Sequence, residues 1–179
     1  EDERIIKSNL ERLKREKGIL EPSDHPRVRD ENGCFESSLT AIQIAKKYNT
    51  RLHILHISTE KELQLFFFFF PLEQKRITSE VCVHHLHFTA VDYASKGYLI
   101  KCNPAIKAPN NREALWKALL DDRLDVIATD HAPHTIEEKG YYRNEHGMLT
   151  PLTITEEGSG TYEKAHAGLP LVQHPVLLM

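Results

Sequence analysis

Apolar residues Ile5, Ile6, Leu10 and Leu13 recur at spacings of three and four among Lys, Arg and Glu, which predicts an amphipathic helix over residues 3–17 that Gly18 ends. Residues 21–33 are polar, with Pro22, Pro26 and Gly33, and predict a loop before a second helix over 37–47. The pattern then shortens. Arg51-Leu-His-Ile-Leu-His-Ile57 predicts a strand, Ser58-Thr59 a helix cap, and residues 60–65 a turn of helix. A second strand over 77–83 runs into His84-His85-Leu86-His87, and a third over 98–102 ends at Asn103-Pro104, where the proline marks a loop. Asn110 or Asn111 caps a helix through Leu120, with Leu115, Trp116, Leu119 and Leu120 as its core face. Asp125-Val-Ile-Ala-Thr129 is then a strand that delivers Asp130 and His131 at its carboxyl end.

Strands and helices alternating in this way predict an α/β fold with a parallel sheet, and His56, His84, Asn103 and Asp130 all fall where strands give way to loops. A (β/α)₈ TIM-type barrel places its active site at that face. Such a barrel takes about 250 residues, so a 179-residue chain with three or four strands is expected to be one partial barrel domain, residues 1–179. Glu1 rather than Met opens the chain, with no signal-peptide pattern, and the expectation is the C-terminal portion of a longer protein. No internal repeat is evident. Two segments break the pattern: five consecutive phenylalanines at 66–70, best explained as an anomaly of the sequence rather than a packed or ligand-binding surface, and the polar residues 140–161, a loop insertion at the rim and a candidate lid.

Charge narrows the partners. Lys plus Arg total 23 and Asp plus Glu 26, a net charge of −3 with no long block of either sign, so neither nucleic acid nor an anionic membrane is an expected partner. The longest apolar run, residues 65–70, is far shorter than the roughly 20 residues that span a bilayer. Cys34, Cys82 and Cys102 are an odd number at wide spacing, which suits a reducing cytoplasm rather than a disulfide framework.

The chemistry concentrates in eleven histidines and a few carboxylates. Thr129-Asp-His-Ala-Pro-His134 sets a carboxylate at a strand end with two imidazoles behind it; in a metal-dependent hydrolase such an Asp ligates the metal and carries a proton. His53 and His56 differ by three residues and so face opposite sides of a regular strand. His56, nearer the carboxyl end, is the better ligand, and His53 a packed or hydrogen-bonded histidine. Alternation would put His85 and His87 on one face, but a histidine run at a strand end is mainly structural, and Cys82 and Cys102 lack the spacing of a closed zinc site. There is no GxGxxG, P-loop or GxSxG motif.

Taken in order, Leu55-His-Ile-Ser-Thr-Glu-Lys61, Ser79-Glu-Val-Cys-Val-His-His-Leu-His-Phe88, Lys101-Cys-Asn-Pro-Ala105, Asp125-Val-Ile-Ala-Thr-Asp-His-Ala-Pro-His134 and Ala167-Gly-Leu-Pro170 resemble dihydroorotase, a cyclic amidohydrolase. The resemblance covers most of residues 1–65, 77–137 and 163–179. It implies a metal-dependent barrel hydrolase that interconverts N-carbamoyl-L-aspartate and (S)-dihydroorotate in pyrimidine biosynthesis, with one or two Zn²⁺ ions in the complete protein. By the same resemblance His56 binds metal, Asp130 binds metal and serves as general base and acid, Asn103 and His134 contact substrate, and the backbone at Ala167 and Gly168 holds the ring. The family's other ligands, and the arginine for the substrate carboxylate, would lie upstream of Glu1, so this chain alone is expected to be inactive. Allantoinases and hydantoinases share the motifs singly, and a non-catalytic dihydroorotase-like scaffold is the reading from another class. A small molecule is the expected partner, with homo-oligomerisation open.

Overall fold

The computed structural model describes residues 1–66, 71–152 and 161–174. Helix α1, Glu3–Lys17, forms where the apolar spacing places it. The Asp2 carboxylate accepts from the N–H groups of Arg4 at 2.9 Å and Ile5 at 3.3 Å, Ile6 and Leu13 are buried, and Gly18 ends the helix at φ 75°.

The polar stretch predicted as a loop over 21–33 is largely helical. A 3₁₀ turn (Pro22–Asp24) leads into α2 (His25–Val28), and α3 runs from Glu31 to Lys47 rather than from 37. The prolines signal helix starts here, because a residue in the first turn has no intrahelical N–H bond to lose. Asp30 supplies the cap of α3, accepting from the Gly33 N–H at 2.8 Å.

Strand β1 (Leu52–Ile54) is followed by a 3₁₀ turn (Glu62–Leu65) that Thr59 opens, its hydroxyl accepting from the Glu62 N–H at 3.1 Å. Strand β2 (Ile77–Cys82) passes directly into α4 (Val83–His87), then α5 (Tyr93–Lys96). The third predicted strand is absent: Gly97–Ile100 is a 3₁₀ turn. The Tyr98 N–H bonds the Tyr141 hydroxyl, and the Tyr98 carbonyl takes the Lys101 N–H, each at 3.0 Å. A short apolar run has no periodicity that separates these outcomes.

Helix α6, Pro109–Leu120, begins on its proline, so neither Asn110 nor Asn111 is its cap. Asn111 instead ties the helix to its surroundings, accepting from the Glu60 N–H at 2.8 Å and donating to Glu31 at 2.9 Å. Leu120, expected on the core face, is 81% exposed. Strand β3 (Val126–Ala128) follows, and the sheet is parallel in the order β1-β2-β3, with Leu52 opposite Ile77 and Glu80 opposite Val126.

Ile42 of α3, Val81 of β2 and Leu115 of α6 share one core with Ile57, Leu63 and Phe66. Phe66 is thus ordinary core, whereas residues 67–70 lie outside the described residues. The expected insertion at 140–161 begins as an antiparallel hairpin of β4 (Tyr141–Arg143) and β5 (Leu149–Pro151), anchored by buried Tyr141 against Tyr98 and Leu20. Residues 153–160 are not described, and α7 (Thr161–Lys164) resumes the chain. No helix among the described residues is long and apolar enough to cross a membrane.

Candidate active site

All three parallel strands deliver chemistry at the same edge. After β1, His56 is half-buried and sits at φ 41°; after β3, Asp130 is exposed and sits at φ 46°. A left-handed backbone at a non-glycine residue is uncommon and collects at functional positions, where surrounding contacts hold it. Glu80 of the central strand supplies such contacts for His56, accepting its N–H at 3.3 Å, while the other carboxylate oxygen meets His53 Nε2 at 3.1 Å. With Nδ1 of His53 on the Thr78 hydroxyl at 2.8 Å, that histidine is a hydrogen-bonded strand residue. His56 lines a cavity of about 150 Å³ with Glu1, Cys34, Ser38, Glu62 and Pro104.

Between these outer strands, Cys82 ends β2, and His84 and His85 occupy the turn of α4 that follows. The helical turn, not strand alternation, sets their directions, so His84 and His85 are both buried and His87 is exposed. One donor atom from each of Cys82, His84 and His85 lies within 4.8 Å of the others. His85 donates from Nε2 to the Pro104 carbonyl at 3.0 Å, but its Nδ1 and both ring nitrogens of His84 are buried without a partner. An unsatisfied buried polar group costs about 1–3 kcal/mol. Burial pushes the His84 imidazole down to about 4, with His56 adding to the shift, drives His85 well below its ordinary value, and raises the Cys82 thiol. His56 and Asp130 are not part of this set, and among the described residues they do not form a three-donor group of their own.

The predicted substrate residues lie on the other side of the Asn103–Pro104 step. Asn103 and Ala167 line one cavity of about 400 Å³ with His25, Arg29, Lys101 and His166. Two buried ammonium groups tie its wall together, Lys101 from within the lining and Lys139 through the backbone of the lining residues Lys101 and His166. Lys139 donates to the carbonyls of Lys101, His166 and Gly168 at 2.9–3.0 Å, and Lys101 to those of Tyr162 and Ala165, each at 2.6 Å. Burial lowers both lysines to about 8. His25 donates from Nε2 to the Cys102 carbonyl at 2.8 Å and accepts from the Tyr162 hydroxyl at 2.9 Å.

Gly168 is held against this wall, its N–H on the Lys101 carbonyl at 2.8 Å. At φ 151° a Cβ there would stand 2.5 Å from the Ala132 carbonyl oxygen and 3.0 Å from the His134 ring, so only glycine lets the segment lie so close. His134 itself packs against His166 with ring centres 4.8 Å apart and planes tilted by 51°, and bonds Glu138 at 3.3 Å. His131 accepts the N–H groups of Leu171 and Val172 at 2.9 and 3.0 Å and so fixes the chain beyond Gly168.

No protein-family model matches the chain. Individual proteins do. It is 38% identical over 109 residues to a dihydroorotase of Ligilactobacillus salivarius (strain UCC118), covering 60% of this chain and 25% of that protein. Against a dihydroorotase of Pyrococcus furiosus identity is 41% over 98 residues, 55% of this chain and 22% of that one. The chain is thus similar in sequence to dihydroorotases over somewhat more than half of its length. An allantoinase of Streptomyces avermitilis matches at 38% over 95 residues, 53% of this chain and 21% of the relative.

In structure, a D-hydantoinase superposes with a TM-score of 0.76 at 17% identity over 97% of the chain and 35% of the hydantoinase. Saccharomyces cerevisiae dihydroorotase superposes with a TM-score of 0.55 at 19% identity, over 74% of this chain and 32% of that one. These neighbours are TIM barrels, and this chain has the fold of part of such a barrel. It spans about a quarter of the length of the curated relatives it matches.

Lys139, His25 and Glu80 were not marked by the sequence. A lone lysine or glutamate carries no spacing signal, and the reach of Lys139 to three carbonyls exists only once the 101 and 166–168 segments are side by side.

Proposed function

We propose that this chain carries the second part of a dihydroorotase active site, acting on the ring amide of (S)-dihydroorotate and its open form, N-carbamoyl-L-aspartate. The observation that carries the reading is the pair His56 and Asp130, set in left-handed conformations at the carboxyl ends of the two outer parallel strands, while Asn103 and Ala167 share a separate cavity. Two ligands are fewer than the three a catalytic zinc ordinarily takes from its protein, so His56 and Asp130 would share the ion with groups outside this chain. Zinc held there supplies Lewis acidity, lowering the pKa of water and polarising a ring carbonyl.

The remaining steps belong to the protein. The exposed Asp130 carboxylate takes the proton of the attacking water and returns it to the leaving ring nitrogen. Asn103 and His134 orient the ring, and the buried Lys101 ammonium brings to the cavity a positive charge that suits a carboxylate-bearing substrate. Three buried thiols, none in a disulfide, fit a reducing cytoplasm.

Zinc-dependent turnover of dihydroorotate, allantoin and hydantoin, measured with this chain and with the chain extended upstream to the length of its relatives, tests the reading. Turnover of dihydroorotate above the other two by the extended protein is expected. Preference for allantoin or hydantoin would move the assignment within the cyclic amide hydrolases, and turnover of none would overturn it in favour of a non-catalytic scaffold.

A further inference from the structure

We propose that Cys82, His84 and His85 form a separate metal centre for a soft divalent ion of the zinc class, built into the end of the central strand. Three features of the site point the same way. One donor atom from each residue already lies within 4.8 Å of the others. Bonds of about 2.0–2.3 Å in a tetrahedron put donors roughly 3.3–3.8 Å apart, so rotamer adjustments of about 1 Å close the cage.

The tautomer of His85 is also set for coordination. Its Nε2–H donates to the Pro104 carbonyl at 3.0 Å, which leaves the Nδ1 lone pair facing inward, and that atom is buried with no partner. A metal-binding histidine characteristically uses one ring nitrogen on a carbonyl in this way and offers the other to the ion. His84 has neither ring nitrogen satisfied although its side chain is fully enclosed. Packing does not account for these groups, since its neighbours offer them nothing; an ion satisfies one nitrogen of each ring at once.

The donor set selects the ion. Two imidazoles and a thiolate favour zinc or cobalt(II) over magnesium or calcium, which take oxygen. On binding, Cys82 loses its thiol proton to solvent as the sulfur–metal bond forms, with no change of oxidation state. The centre does not rest on the hydrolase reading, because it uses neither His56 nor Asp130.

Cobalt(II) titrated into the metal-free chain tests it. A sulfur-to-cobalt charge-transfer band in the near ultraviolet, saturating at one equivalent and displaced by zinc, is expected. Cys82→Ser should abolish the band, and His85→Gln should weaken cobalt binding about 100-fold or more. His56→Asn, Asp130→Asn, Cys34→Ser and Cys102→Ser should leave it in place. X-ray absorption of the zinc-loaded wild-type chain needs no variant and should show a sulfur neighbour. Absence of the band in the wild type, its persistence in Cys82→Ser, its loss in His56→Asn, or a zinc shell of nitrogen and oxygen only would each overturn the proposal.

Discussion

The ends of the parallel strands and the wall of the Asn103 cavity lie on either side of one Asn-Pro step, yet they are built on opposite principles. Along the wall, polar groups are matched: Lys139 and Lys101 between them take five backbone carbonyls, and His25 uses both ring nitrogens. At the strand ends, His84 has no partner for either nitrogen, His85 lacks one, and His56 and Asp130 hold left-handed backbone angles. A region whose polar groups are satisfied internally is rigid before any ligand arrives, which suits holding a ring in place. A region with buried donors left open is completed by something else.

That contrast predicts where stability resides. Lys139→Met should have the largest effect, because it strips one buried cation from three carbonyls; a loss of about 3 kcal/mol in urea unfolding is expected. A loss below 1 kcal/mol would mean the wall is not held this way.

Acid should act next, through His25. Burial drives this imidazole to about 3, so it stays neutral in the fold while the unfolded chain takes up a proton near the ordinary value of about 6.5. The unfolded state therefore binds more protons between those values, and stability falls as pH drops through that window, by about 3 kcal/mol for this group at pH 4. Urea midpoints from pH 7 to 4 should fall more steeply in the wild type than in His25→Gln; equal slopes would contradict the assignment.

Gly168→Ala comes third, at about 2 kcal/mol, since its Cβ would meet backbone at Ala132 rather than a side chain that can swing away. The smallest effect should follow Glu80→Gln at the strand ends, where the pair with His53 is partly exposed. A change under about 1 kcal/mol is expected there, and a larger one would show that the strand ends contribute to stability as much as the wall does.

The sequence shows the strand-end half of this picture better than the wall. Apolar spacing located α1, β1, β2 and β3, and the Thr-Asp-His and Leu-His-Ile-Ser motifs pointed to Asp130 and His56. It failed where tertiary partners decide the outcome. Gly97–Ile100 folds as a turn because Tyr141, more than forty positions away, accepts its N–H. His85 and His87 part company because β2 gives way to helix at Val83. The Cys82, His84, His85 spacing resembles no closed zinc motif, and only the abrupt strand-to-helix step brings those donors together. Of the predicted substrate residues, Asn103 and Ala167 share a cavity, while His134 reaches it through His166 and Gly168, lacking a Cβ, lets its segment lie against Ala132.

The division of labour between the two regions has one direct measurement: steady-state dihydroorotate kinetics of the upstream-extended, zinc-loaded protein carrying Asn103→Ala or Asp130→Asn. Asn103→Ala should raise KM about tenfold or more with kcat little changed, and Asp130→Asn should lower kcat by about 10³-fold, the size of a lost general base. If both substitutions altered the same parameter, or Asp130→Asn left kcat intact, the strand ends would not be where the chemistry is done.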